Sequence, residues 1–407
     1  MDIDFFRIVS VNFNPKIQNS DYKKDMRQIT QKNHRIDILE GLRGIAALVV
    51  FLFHWLIGFL PQFSGLWPNF PKEQAWLGRW GFFFINGSGA VVFFFVLSGF
   101  VLSRRVLLTY ATETIGEAAL KRWPRLAFPT CVACLISWVF FATGAYYYPS
   151  AALITHSPWL GGFAGAAGLP SQRLLTDAFK QGLWDTFFSG NAYYDSSMWT
   201  MHYEFIASFM IFGTCLLLVV YRNLPQWISV FPVLIITLLC SSVSPWYPPF
   251  FLGLLIAFLL PERLKVSKVT RIILASFGLY CLGYFNSDGL RIHGYTIPFQ
   301  YIDGVGSIFV ISSCYDVQLK GWYQKSAQFL GQLSFPFYLL HALFICSFGS
   351  WLFLTLKTHH IVHPSFFSGV ATLVVSILAS LPFIKANTLW LKVLNNVMQP
   401  LRKKMQS

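Results

Sequence analysis

The apolar run 39–60, LEGLRGIAALVVFLFHWLIGFL, holds two ionisable side chains, Arg43 and His54. They stand eleven positions apart. At 100° per residue, eleven steps leave about 20° of net rotation, so in a helix both project from one face. Their axial separation is about 16 Å at 1.5 Å per residue. Ionisable groups at membrane depth are costly and usually serve a function. Taken singly, the arginine could snorkel and the histidine could hydrogen-bond a neighbouring helix; sharing one face argues for a site. Histidine is the natural general base near neutral pH, and one that takes a proton from a hydroxyl activates it for attack on an acyl carbon.

Four other places carry residues able to join such chemistry. In KRWPRLAFP, Arg122 and Arg125 lie three apart, a fork suited to phosphate or pyrophosphate, or else ordinary flanking charge. In GAVVFFFVLSGF (89–100), Gly89 and Gly99 permit close helix approach, and Ser98 can bond across helices or touch a cofactor arm. SMWTMHYEF places Glu204 about one turn inside an external boundary, as a substrate contact or a partner for a histidine; His202 faces elsewhere and reads as structural. In LSFPFYLLH, Tyr338 and His341 share a face at i, i+3, with His341 either a second proton handler or a packed histidine. Asp303 is a further lone intramembrane acid. Nothing predicts a metal: no HExxH is present, and His359, His360 and His363 lack acidic or cysteine company. Cys131 and Cys134 form a CxxC inside an apolar helix, where packing is expected.

The elements that must position these residues follow from composition. The 407 residues are 55% hydrophobic and 12% charged, against about 25% charged in soluble proteins. The expected fold is therefore all-α, a polytopic membrane bundle of about ten transmembrane helices. The candidate spans are 42–60, 81–103, 124–143, 198–220, 227–244, 247–260, 269–285, 298–314, 329–354 and 366–384. Residues 1–38 read as a cytosolic lead-in without the features of a signal peptide, 39–385 as the transmembrane domain and 386–407 as a cytosolic basic tail. All seven cysteines fall in apolar segments, so no structural disulfide is expected. With the N-terminus inside, 25 of the 31 Lys and Arg residues collect on the cytosolic side, which puts both termini in the cytosol. That placement explains the net charge of +14 without nucleic acid. The longest external loop, 144–197, is rich in aromatics (Trp159 and Trp184 among them), with 173–188 a short amphipathic helix; the rings suit a headgroup belt or a sugar face.

As a set these residues resemble the integral-membrane acyltransferase family 3. The resemblance rests on EGLRG (40–44), the Arg43 to His54 spacing, the 89–100 segment, Arg122 with Arg125, Trp199 to Glu204, and Tyr338 to His341. It covers about 35 to 385, and the helix count agrees with the family. Glu40 stands where the family pattern has aspartate, and Thr200 and Met201 where it has serine and leucine. The resemblance implies transfer of an acyl group, commonly acetyl, from cytosolic acyl-CoA to a hydroxyl of an extracytoplasmic glycan, glycolipid or small molecule. His54, Arg43 and Glu204 would then be catalytic. Arg122, Arg125 and Ser98 would bind acyl-CoA, the co-substrate, and Trp199, Tyr338 and His341 the acceptor. The partners implied are acyl-CoA, a carbohydrate or glycolipid acceptor and the lipid bilayer; a homo-oligomer is compatible. A bacterial inner membrane is the expected location. The chain ends soon after the tenth segment, so direct transfer without an esterase-like appendage is expected.

Two rival readings use the same residues. In a proton-coupled transporter or flippase, Arg43, His54, Glu204 and Asp303 would form a relay, although such a carrier has no need of the Arg122/Arg125 pair. In a non-catalytic export partner the pocket would bind without reacting.

Overall fold

The computed structural model describes residues 37–71, 73–164, 173–260, 266–285, 289–292, 295–314 and 317–406; the lead-in expected over 1–38 lies outside them except for its last two residues. Ten principal helices follow in chain order, one on each expected span. They are α1 Asp37–Phe59, α2 Gly87–Thr109, α3 Glu113–Ala142, α4 Trp199–Val220, α5 Gln226–Val243, α6 Pro248–Leu259, α7 Lys268–Leu282, α8 Phe299–Cys314, α9 Gly321–Phe344 and α10 Pro364–Gln406. A wider turn, Ile345–Gly349, carries α9 on into Ser350–Thr358. Among the described residues, seven helices are long and apolar enough to cross a membrane. α6, α7 and α8 have only 12, 15 and 16 residues, and at 1.5 Å per residue the shortest rises about 18 Å. A two-stranded antiparallel hairpin, β1 Leu290–Ile292 with β2 Tyr295–Ile297, precedes α8 and was not expected.

α1 and α9 form the most extensive pair, and they run parallel and in step. Gln324 and Gln328 donate to the two oxygens of Asp37, Arg43 reaches Gly331 and Ser334, and His54 meets His341. Sequence separations across these contacts stay between 287 and 291. Small residues permit the approach: a Cβ on Gly44 would fall 2.6 Å from the Leu330 carbonyl oxygen. The EGLRG glycine is thus a packing surface that brings Arg43 and His54 against α9.

α2 and α6 approach by the same device. A Cβ on Gly99 would lie 1.9 Å from the Phe250 oxygen, and one on Gly253 1.9 Å from the Val96 oxygen. Backbone cannot yield as a flexible side chain can, so overpacking here costs roughly 2 kcal/mol or more. Gly99→Ala is therefore expected to lower the thermal unfolding midpoint by several degrees in detergent. Gly213→Ala, with nothing within 4 Å, is expected to leave it unchanged.

The second half of the external loop departs from expectation. It is helical over 175–188, as read, through a wider turn at Gln181–Asp185, and it packs along α3. The Arg173 carbonyl accepts from Trp138 Nε1, Gly182 packs on the Cys131 backbone, and the Leu183 carbonyl accepts from Trp123 Nε1. From Trp138 to Trp123 is about 22 Å of helix. The segment is re-entrant, and a helix of this kind, bent by its wider turn, is tolerated at depth where protein covers its backbone. α4 consequently starts inside the bundle. α3 begins at Glu113, well before the expected 124, and Pro124 and Pro129 sit within it; Trp390 Nε1 on α10 donates to the Pro124 carbonyl. At the other end α10 runs unbroken through the boundary drawn at 385.

Candidate active site

Arg43 sits in the second turn of α1. Its Nε donates to Ser334 Oγ at 2.9 Å, its Nη2 donates to the Gly331 carbonyl at 2.8 Å, and Glu40 pairs with it at 3.1 Å. This guanidinium therefore clasps α1 to α9. His54, three turns further along, is half-buried. Its Nδ1 lies 2.8 Å from His341 Nε2, and His341 Nδ1 lies 2.6 Å from the Tyr338 carbonyl oxygen. The Val50 carbonyl one turn back also lies within hydrogen-bonding reach of the ring, and no side chain among the described residues meets His54 Nε2. The indole of Trp159 stacks on the His54 ring at 4.7 Å and 23°. Trp159 comes from the short helix Pro158–Gly161, which Ser157 caps while also donating to the Ile57 carbonyl. An aromatic from the segment between α3 and α4 thus covers one face of the imidazole.

A second cluster joins α2, α3 and α4. Arg122 Nη2 forms an ion pair with Glu204 Oε1, to which Ser98 Oγ also donates at 2.6 Å. Arg122 Nε donates to Ser208 Oγ. Arg122 is buried, so this pair is a three-helix junction, and removing one partner would strand a charge. Arg125 is different. It is exposed and has no hydrogen-bond or ion-pair partner among the described residues, yet it stands within electrostatic reach of Arg122, Arg43, Glu204 and Glu40. α1 and α3 share no extensive contact.

A family model described as an acyltransferase domain, Acyl_transf_3, matches residues 36–384. The chain belongs to this acyltransferase family. No curated protein and no solved structure matches it. Its apolar helices make this acyltransferase an integral, multi-pass membrane protein.

Within the acyltransferase the expected site residues separate into groups. Arg43, His54 and His341 share the α1–α9 seam. Ser98, Arg122 and Glu204 share the second cluster, so the guanidinium expected to meet phosphate is already held by a carboxylate. Glu204 lies level with the middle of α2, deeper than its sequence position suggested, because α4 starts behind the re-entrant segment. Tyr338 is buried, with its hydroxyl donating to the Ser197 carbonyl and paired with Thr200 Oγ1, so it anchors the start of α4. Trp199 packs edge-on against Trp246 at 4.7 Å. His341 is fully buried behind His54, out of an acceptor's reach in this arrangement. Asp303 is buried on α8 with both oxygens unpartnered among the described residues, and no hydrogen bond or ion pair links it to Arg43, His54 or Glu204. The four-residue relay of the transporter reading is not assembled. Among the described residues no group of three or more His, Cys, Asp or Glu is placed to hold a metal. Cys134 packs its Sγ 3.5 Å from Met198 Sδ.

Sequence reasoning did not single out Ser334, Gly331 or Ser208, and gave Trp159 no specific role. Ser334 lies inside the quoted LSFPFYLLH, exactly seven residues before His341, so its helical register with that histidine was available as a signal. Trp159 was visible only as one ring among many in an aromatic loop.

Proposed function

We propose that this acyltransferase moves an acyl group, foremost acetyl, from cytosolic acyl-CoA to a hydroxyl of an extracytoplasmic glycan, glycolipid or small molecule, with His54 as general base. The observation that carries the reading is the placement of a half-buried imidazole about 16 Å along α1 from Arg43, with Arg125 of α3 within electrostatic reach of that arginine. A cationic mouth suits the phosphates of coenzyme A, and a slender pantetheine arm can cover that distance to the imidazole. The acceptor oxygen attacks the thioester carbonyl as His54 Nε2 takes its proton. The tetrahedral intermediate then collapses, the C–S bond breaks, and the departing thiolate receives the proton back from the imidazolium. Arg43 and the Arg122–Glu204 junction hold the helices that shape this path. Both termini lie in the cytosol on this reading, which the excess of Lys and Arg at the Arg43 end supports.

The deciding experiment is acetyl-CoA binding by calorimetry on the purified protein in detergent. Micromolar binding is expected. A folded sample that binds none would remove the reading.

A further inference from the structure

We infer that His341 is a positioning residue that sets the tautomer of His54 and so leaves His54 Nε2 as the basic nitrogen; this rests on the reading of His54 as the general base. A carbonyl oxygen can only accept, so at 2.6 Å from the Tyr338 oxygen His341 Nδ1 must carry a hydrogen. A neutral imidazole has one ring hydrogen, which makes His341 Nε2 a lone-pair acceptor. Two lone pairs cannot face each other at 2.8 Å, so His54 Nδ1 carries its hydrogen and donates. His54 Nε2 is left as the lone pair, on the ring edge without a side-chain partner.

The ring geometry supports a true N–H to N bond. The two imidazole planes are inclined by only 29° with centroids 5.0 Å apart, close to edge-to-edge, which points the lone pair of one ring along the N–H of the other. Trp159 covers a face of His54, not its Nε2 edge, and Phe337 lies 6.1 Å from His341, so the pair is bounded by apolar rings. No carboxylate joins the chain. When Nε2 takes a proton, the Nδ1 hydrogen still donates to His341, and the new charge forms against an acceptor already aligned. Tyr338 contributes at both ends of its residue: its hydroxyl ties down the start of α4 and its carbonyl orients His341.

A histidine buried for packing alone would satisfy its nitrogens in the same way, so the test must read His54. Asparagine places its amide near the Nδ1 position and keeps a donor for Tyr338, but offers nothing to His54. Glutamine reaches the Nε2 position with an acceptor oxygen. His341→Asn is expected to lower kcat by roughly 10²–10⁴-fold with the Kd for acetyl-CoA and the unfolding temperature little changed. His341→Gln is expected to stay within about tenfold of wild type, as an acceptor restored at the same place. Nitrogen NMR of ring-labelled histidine in the wild-type protein, with the His54 signal identified by its loss in His54→Ala, is expected to show the hydrogen on Nδ1. Full activity in His341→Asn, equal losses in the Asn and Gln variants, or a wild-type signal with the hydrogen on Nε2 would each overturn the inference. If instead His54→Ala itself transfers acyl groups at the wild-type rate, it is the general-base reading that falls. The NMR measurement needs no His341 variant to fold.

Discussion

His54→Ala is expected to lower acyl transfer by about 10²–10⁴-fold while leaving the Kd for acetyl-CoA within about twofold, since that is the span a positioned general base contributes. The side chain lies half-buried on α1, three turns from Arg43, with no side chain on Nε2 and with Nδ1 engaged by His341. Removing it takes away the proton acceptor and leaves Arg125 and its charged surroundings intact. Stability should change little, because the ring is held only by the His341 bond, the nearby Val50 carbonyl and the Trp159 stack. Thiol release from acetyl-CoA, followed with and without sugar acceptors, reads the rate, and calorimetry reads the binding. Wild-type turnover in the alanine variant would move the basic group elsewhere.

The second expectation concerns two arginines that look alike in sequence. Arg125→Ala should weaken acetyl-CoA binding by roughly 2 kcal/mol, about thirtyfold in Kd, the scale of a hydrogen bond to a charged group. Its unfolding temperature should stay near wild type, since an exposed side chain without a partner supports no packing. Arg122→Ala should instead lower thermal stability markedly, because it leaves Glu204 buried without its cation and removes a bond to Ser208. The double variant alone would mix the two effects. Thermal unfolding beside calorimetry on each single variant separates them, and equal behaviour of the two would show that Arg125 is not the favoured phosphate contact.

The helical class and the approximate position of each helix were legible because hydrophobic runs of spanning length have few other solutions in a membrane. Boundaries were less so. The expected span started at Pro124, yet α3 runs on both sides of it, because a proline inside a helix is tolerated where the surrounding bundle covers the backbone it disturbs. The re-entrant descent of 175–188 was not legible at all. Its short helix has ordinary amphipathic character, and only the packing of Gly182 on Cys131 and the two indole bonds from α3 show where it goes.

By itself the sequence determined which side chains demanded an explanation. A guanidinium, a carboxylate or an imidazole in an apolar run is costly whatever surrounds it, so Arg43, His54, Arg122, Glu204 and Asp303 stood out at once, and the helical period alone put Arg43 and His54 on one face. Tertiary structure decided the partners. Glu204 went to Arg122 and not to a histidine, His341 went to His54 and not to an acceptor, and Asp303 joined neither cluster. Partner choice depends on which helices stand side by side and in what register. The α1–α9 seam is set by glycine contacts between residues some 287 positions apart, a distance over which no local preference of the chain can act.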